Sequence, residues 1–206
     1  IDVLVFMDCC QRGKSNIQVK LIIKIKKSEK KMNVILIGMP GCGKSTCGVL
    51  VAKALCKSFL DTDLLIQQNE GMKLSEIIAT KGNDGFAEAE RNSVLTLYTK
   101  NCIIATGGSM VYYDDAMKKL KEDGIVVYLE LSYKNMMKRI KNFKARGVLL
   151  KDGYTPKDMY NERAILYKKY ADITIDCNKN TIDNTVKSII KAINAYSNKH
   201  SWKSEV

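Results

Sequence analysis

Gly38-Met39-Pro40-Gly41-Cys42-Gly43-Lys44-Ser45 is the stretch that decides how this chain is organised. It fits G-x-x-x-x-G-K-[ST] in full, and it stands where that pattern has physical meaning, after an apolar run and before a helix-compatible segment. The glycines let the backbone turn its N–H groups inward onto phosphate oxygens. The following helix adds about half a positive charge at the same point. Lys44 is placed to reach the β- and γ-phosphates and Ser45 to offer its hydroxyl to Mg²⁺. Gly41, Cys42, Gly43, Lys44, Ser45 and Thr46 are therefore candidate contacts to ATP, and the string implies a nucleoside triphosphate site without saying what the triphosphate is used for.

Outward from the loop, strands and helices alternate. The run 34–37 (Val-Ile-Leu-Ile) precedes the loop and a helix over about 44–55 follows it. A short strand is expected at 58–60, and helices at 74–80 and 86–98 with Gly82 and Gly85 between them. A strand at 102–105 leads into Thr106-Gly107-Gly108. A helix at 114–121 takes Asp114 or Asp115 as its N-cap. A strand at 125–131 is followed by a helix that Ser132 caps, running to about 140. Residues 141–155 are basic and broken by Gly147 and Gly153, the composition of a mobile loop. Pro156 suits the first turn of a helix over 156–170, and a strand at 173–175 and a helix at 181–196 complete the pattern. Such alternation implies an α/β fold, a parallel sheet covered on both faces.

The chain has 206 residues and a formal net charge of +12. Residues 1–31 hold eight of the Lys/Arg and three of the Asp/Glu, and Met32 directly precedes the first clean strand. These 31 residues are expected to be an extension outside the domain, disordered or non-native, with 20–26 as a competing edge strand. Residues 32–197 form the domain and 198–206 a polar tail. The lysines are scattered without interleaved aromatics, so the charge indicates no nucleic-acid groove. No apolar run reaches the ~18 residues of a membrane span. Seven cysteines, an odd number without CxxC spacing, suit reduced thiols in the cytoplasm. With a single histidine, His200, in the tail, a His-based metal centre or Ser-His-Asp triad is excluded. A monomer is the default assembly.

Asp61 and Asp63 flank Thr62 where the second strand should end. On an extended segment, carboxylates at i and i+2 point the same way. One can hold Mg²⁺ and the other can take the proton of an attacking hydroxyl. The bland alternative is an N-cap pair for a helix over 64–68. The N-K-x-D motif of a GTPase is missing.

These residues together resemble the shikimate kinase family across essentially all of 32–196. The loop at 38–46 and the Asp61-Thr62-Asp63 group match it. So do Ala105-Thr106-Gly107-Gly108-Ser109 for its second glycine motif, Val127-Tyr128-Leu129-Glu130-Leu131-Ser132 for the strand before its lid helix, and Glu162-Arg163-Ala164-Ile165-Leu166-Tyr167 for a substrate-arginine segment. The resemblance implies a three-layer P-loop kinase fold, with a five-stranded parallel sheet flanked by helices and a mobile lid at about 141–155. It implies ATP-dependent phosphorylation of a small-molecule hydroxyl, converting shikimate to shikimate 3-phosphate. Lys44, Ser45 and Asp61 would serve ATP and Mg²⁺, and Asp63 would hold the substrate hydroxyls and act as base. Gly107 and Gly108 would offer backbone N–H groups to the substrate, and Arg163 would pair with its carboxylate. Arg139 and Arg146 would be lid-region arginines, with Arg146 stabilising phosphate charge, and Asn178 and Lys179 would border adenine.

The family's Phe-Arg-x-x-Glu motif is here Phe86-Ala87-Glu88-Ala89-Glu90, so one carboxylate-binding arginine is replaced by alanine. Losing a charge-assisted contact costs about 1.5–3 kcal/mol, roughly ten- to a hundredfold or more in affinity. Arg91, one turn from residue 87 on the same face, is the candidate replacement. Shikimate is the first expectation. Another small hydroxylated metabolite, a nucleotide acceptor and a non-catalytic nucleotide-binding relative are the alternatives.

Overall fold

The computed structural model describes residues 32–140, 148, 150, 151 and 153–199. The expectations for residues 1–31, for Arg146 and most of the lid, and for the tail beyond 199 lie outside the described residues.

Five parallel strands, β1 (Asn33–Ile37), β2 (Ser58–Asp61), β3 (Cys102–Ala105), β4 (Gly124–Glu130) and β5 (Ile173–Asp176), form one sheet in the order β2-β3-β1-β4-β5. The central strands are buried on both faces, which is why they read as unbroken apolar runs. Val34, Ile35, Leu36 and Ile37 are all at most 1% exposed. Leu36 of β1 stands between Ala105 of β3 and Val127 of β4. The edge strands β2 and β5 are short and partly polar, as edges are.

Among the described residues seven helices cover the sheet: α1 (Lys44–Ala54), α2 (Thr62–Glu70), α3 (Leu74–Leu95), α4 (Asp114–Glu122), α5 (Tyr133–Arg139), α6 (Pro156–Tyr170) and α7 (Ile182–Lys199). α1 packs with α7 and on β1, β2 and β3, while α3, α4 and α6 form the layer around β4 and the 3-10 turn at Met110–Tyr112. α1 lies close on the sheet because residue 48 is glycine. A Cβ there would stand 2.6 Å from the Phe59 ring. The three-layer expectation holds, and element ends fall within a few residues of those expected.

Two local differences have clear causes. The two helices expected at 74–80 and 86–98 are present as the two limbs of Leu74–Leu95, which meet at a kink at Gly82 (φ 70°, ψ −175°), so that only their bounds differ from expectation. Only Gly82 leaves helical geometry; Gly85 stays inside the helix, so one glycine bends the element and the other is tolerated. The N-cap of α4 is Tyr113, with no side-chain capping bond, and Asp114 and Asp115 occupy the first turn instead. There they meet the positive helix end, and Asp114 accepts from the Tyr170 hydroxyl at 2.6 Å.

Beside the main core lies a small separate one. Ile66 of α2 and Ile77 and Phe86 of α3 are buried together, with Met72 and Leu74 against them. This α2–α3 hairpin forms one wall of the site.

Candidate active site

The site lies outside the carboxyl ends of β1, β2 and β3, where the chain leaves β1 for one side of the sheet and later returns to the other. This is where open α/β sheets place their ligands. A cavity of about 400 Å³ opens there, lined by the glycine loop, Asp63, Phe86, Glu90, Gly107, Gly108, Arg139 and Arg163 among others.

Gly43 caps α1 in the left-handed region (φ 103°), with no side-chain capping bond, so the first-turn N–H groups are left to a ligand. Lys44 folds over the loop: its Nζ donates to the carbonyls of Gly38 (2.8 Å) and Met39 (3.1 Å) and lies 3.8 Å from Cys42 Sγ. The ammonium is thus held at the phosphate cradle before any phosphate arrives. Ser45 and Thr46 stand exposed in the first turn and line the cavity.

The acid pair is arranged differently from the expected extended segment. β2 ends at Asp61 and α2 begins at Thr62, so Asp63 is in the first helical turn. Asp61 Oδ1 accepts from the Asp63 N–H at 3.0 Å and caps α2, so capping and site chemistry share one residue. Asp63 alone of the two lines the cavity. Burial, reinforced by the neighbouring Asp61 and opposed by Lys44, pushes its carboxyl up to about 6.

The loop after β3 is fixed from three sides. Gly107 N–H donates to Thr62 Oγ1 (2.9 Å), the Tyr167 hydroxyl donates to the Gly108 carbonyl (2.6 Å), and Thr106 reaches the Leu36 carbonyl at 3.2 Å. The expectation that both glycine N–H groups face a ligand is therefore corrected, because the Gly107 N–H is spent on Thr62 and only that of Gly108 remains. Gly107 matters for space instead. A Cβ on it would stand 2.1 Å from Glu90 Oε1 and 3.0 Å from Asp63 Oδ1. Gly107→Ala is expected to force these acids apart, costing about 1–3 kcal/mol and roughly 5 °C of unfolding midpoint. Calorimetry and the acceptor KM, expected to rise about tenfold from the narrowed cavity, check it.

Arg163 of α6 is 2% exposed yet lines the cavity. Its Nε donates to the Tyr112 hydroxyl at 3.4 Å, and its guanidinium lies 5.2 Å from the Tyr112 ring centre. Arg139, at the end of α5, donates to the carbonyls of Gly41 (3.3 Å) and Cys177 (3.2 Å), bridging the glycine loop to the segment after β5.

Arg91 does not enter the site. It forks onto Asp115, Nε to Oδ1 at 3.1 Å and to Oδ2 at 2.9 Å, with Nη2 also on Oδ2. A residue one step past buried Glu90 is rotated about 100° around the helix, here toward α4 and solvent. The base-side expectation also shifts. A second groove of about 260 Å³, next to the loop, is lined by Gly41, Thr46, Arg139, Asn180, Ile182 and Thr185 with three thiols, and neither Asn178 nor Lys179 lines it. The Asn178 side chain instead accepts from Ser132 N–H (2.8 Å) and Asn135 Nδ2 (3.0 Å) and donates to Asp176 (2.6 Å), tying β5 to α5.

Sequence reasoning alone assigns Glu90 no role. It is 1% exposed and accepts from Ser109 Oγ at 2.6 Å and the Tyr113 hydroxyl at 3.2 Å. The signal that could have found it is an acid one turn from Phe86 on an apolar helix face.

The sequence model of the shikimate kinase family matches residues 40–194. A shikimate kinase of Thermodesulfovibrio yellowstonii is 36% identical over 169 residues, covering 81% of this chain and 97% of that protein. One of Sulfurihydrogenibium is 33% identical over 162 residues, covering 78% and 97%. Among solved structures, the shikimate kinase of Acinetobacter baumannii in complex with shikimate superposes with a TM-score of 0.73 at 29% identity, covering 80% of this chain and 94% of that one.

Proposed function

This chain belongs to the shikimate kinase family, and on that premise we propose that it transfers the γ-phosphate of ATP to a hydroxyl of shikimate. One observation carries the reading: a single cavity joins a phosphate-binding helix start to a buried acid and a buried arginine, Asp63 and Arg163. The first half suits a triphosphate and the second a hydroxylated carboxylic acid.

In the proposed reaction Arg163 pairs with the acceptor carboxylate, a contact that fixes orientation as well as position. Gly108 adds its N–H. The acceptor hydroxyl lies at Asp63, which takes its proton as the oxygen bonds to the γ-phosphorus. The bond from that phosphorus to the β–γ bridging oxygen breaks, and ADP leaves. Lys44 and Arg139 hold positive charge beside the phosphates, and by family resemblance Arg146 does too. Ser45 and Asp61 would hold Mg²⁺, and their hard oxygen donors suit that ion; when bound it supplies further charge neutralisation. The base moiety fits the groove bordered by Arg139, Asn180 and Ile182. The free thiols of Cys42, Cys47, Cys56, Cys102 and Cys177 support a reducing compartment, the cytoplasm.

The test is ADP release with shikimate, followed by a panel of polyols, hydroxy acids, amino alcohols and nucleoside monophosphates. Shikimate is expected to stimulate release most. A stronger response to another member would move the substrate assignment. Silence across the panel, with ATP still bound, would favour a non-catalytic nucleotide-binding role.

A further inference from the structure

Glu90 lies inside the cavity, yet no step above uses it. Both hydroxyl donors, Ser109 and Tyr113, reach the same oxygen, Oε2. The other oxygen, Oε1, faces Gly107. Among the described residues no cation stands at ion-pair distance from either. The charged and titratable groups that face it are Asp63 from α2, Arg163 from α6 and Tyr113 from the segment before α4.

A buried carboxyl that meets hydroxyl donors and an acid, with Arg163 facing it beyond ion-pair distance, keeps its proton to a higher pH than a free one. Burial, with Asp63 acting the same way and Ser109, Arg163 and Tyr113 opposing, pushes it up to about 7. Since Oε2 accepts twice, the proton belongs on Oε1. That oxygen and Arg163 Nη1 flank consecutive residues: a Cβ on Gly107 would meet the first at 2.1 Å, and a Cβ on Gly108 the second at 3.1 Å. Neighbouring Cα atoms are about 3.8 Å apart, so the Glu90 carboxyl and the Arg163 guanidinium border adjoining residues of one loop on the cavity wall, with Asp63 Oδ1 also at Gly107.

We propose that Glu90 binds the acceptor as a neutral carboxyl, donating a hydrogen bond from Oε1 to the carboxylate that Arg163 pairs. The inference rests on the reading above that the acceptor is a carboxylic acid. It gives the carboxylate a second, uncharged donor where Arg91 is turned away and residue 87 is alanine.

The test uses the intact chain with ATP and shikimate. From about pH 6 to about pH 8 the acceptor KM is expected to rise about tenfold, because ionising Glu90 removes the donor and sets like charges together, while the ATP KM moves less than about twofold. Glu90→Gln keeps an N–H donor and cannot ionise, so its acceptor profile is expected to be flat. Glu90→Ala is expected to raise the acceptor KM about tenfold at about pH 6. A flat profile in the parent chain, or a rise that survives in Glu90→Gln, overturns the inference. Carbon-13 labelling of glutamate carboxyls reads the proton without turnover. The resonance lost in Glu90→Gln should remain protonated at about pH 6, and a Glu90 already ionised at about pH 5 overturns the inference even if shikimate is phosphorylated. If Glu90 holds its proton and shikimate is not phosphorylated, the substrate assignment is what fails. The same pH profile on whichever acid the panel identifies then decides for Glu90, and a panel answered only by uncharged alcohols overturns both.

Discussion

Lys44→Met is expected to lower single-turnover phosphate transfer by about a thousandfold while the protein stays folded. The ammonium sits over the glycine loop on the carbonyls of Gly38 and Met39, at the open end of α1. In the transition state charge spreads over the γ-phosphoryl oxygens, and a positioned cation there stabilises the transition state more than the ground state. Methionine keeps much of the side-chain volume and removes the charge, so packing is largely preserved. Lys44 is only half-buried, so water can replace it at the two carbonyls and the unfolding midpoint should move little. Rapid-quench measurement of labelled phosphate transfer, beside ATP titration, separates the effects. Transfer at the parent rate in Lys44→Met would remove the basis for the proposed reaction.

Asp63→Asn is expected to cost about a thousandfold in kcat by removing the proton acceptor while preserving the shape. The pH profile carries the sign. Asp63 is raised from 3.8 to about 6 and acts in its ionised form, so kcat of the parent chain should climb through about pH 6 and then level. The variant, whose amide does not titrate, should lack that limb. Stability should move the opposite way. A carboxyl with a raised folded-state pKa favours folding fully below its unfolded value, and that contribution is lost as pH rises through about 6. Above about pH 7 the parent chain therefore carries a charged, partly desolvated Asp63, which the variant lacks. An unfolding midpoint that rises as activity falls would mark Asp63 as a site residue held against its solvation preference. Loss of both would mark it as structural.

Much of this is legible in the residues. The loop string between an apolar run and a helix announces the triphosphate site, because its chemistry is local. Ser132 and the Thr155-Pro156 start of α6 are legible for the same reason. Thr155 accepts from the Asp158 N–H at 3.2 Å, a cap whose partners lie within one turn. What the residues do not disclose is tertiary. The Gly107 N–H is taken by Thr62, 45 residues away, and Gly108 is held by Tyr167, 59 residues away. Arg91 can be put on the correct helix, but its partner Asp115 sits on another one. The loop position of Asn178 suggests the base groove, yet its amide ties that loop to α5, and Asn180 lines the groove.

The hairpin of α2 and α3 keeps Ile66, Ile77 and Phe86 in a knot apart from the sheet. Asp63, Phe86 and Glu90 ride on it, whereas Lys44 and Ser45 are anchored to β1 through α1. The two halves of the site therefore answer to different opening equilibria. Native-state hydrogen exchange is accordingly expected to open the hairpin's amides, held by a miniature core, before those of β1 and α1. On that expectation, entry of the alcohol and escape of its phosphate ester would follow hairpin fraying, with the strands left untouched.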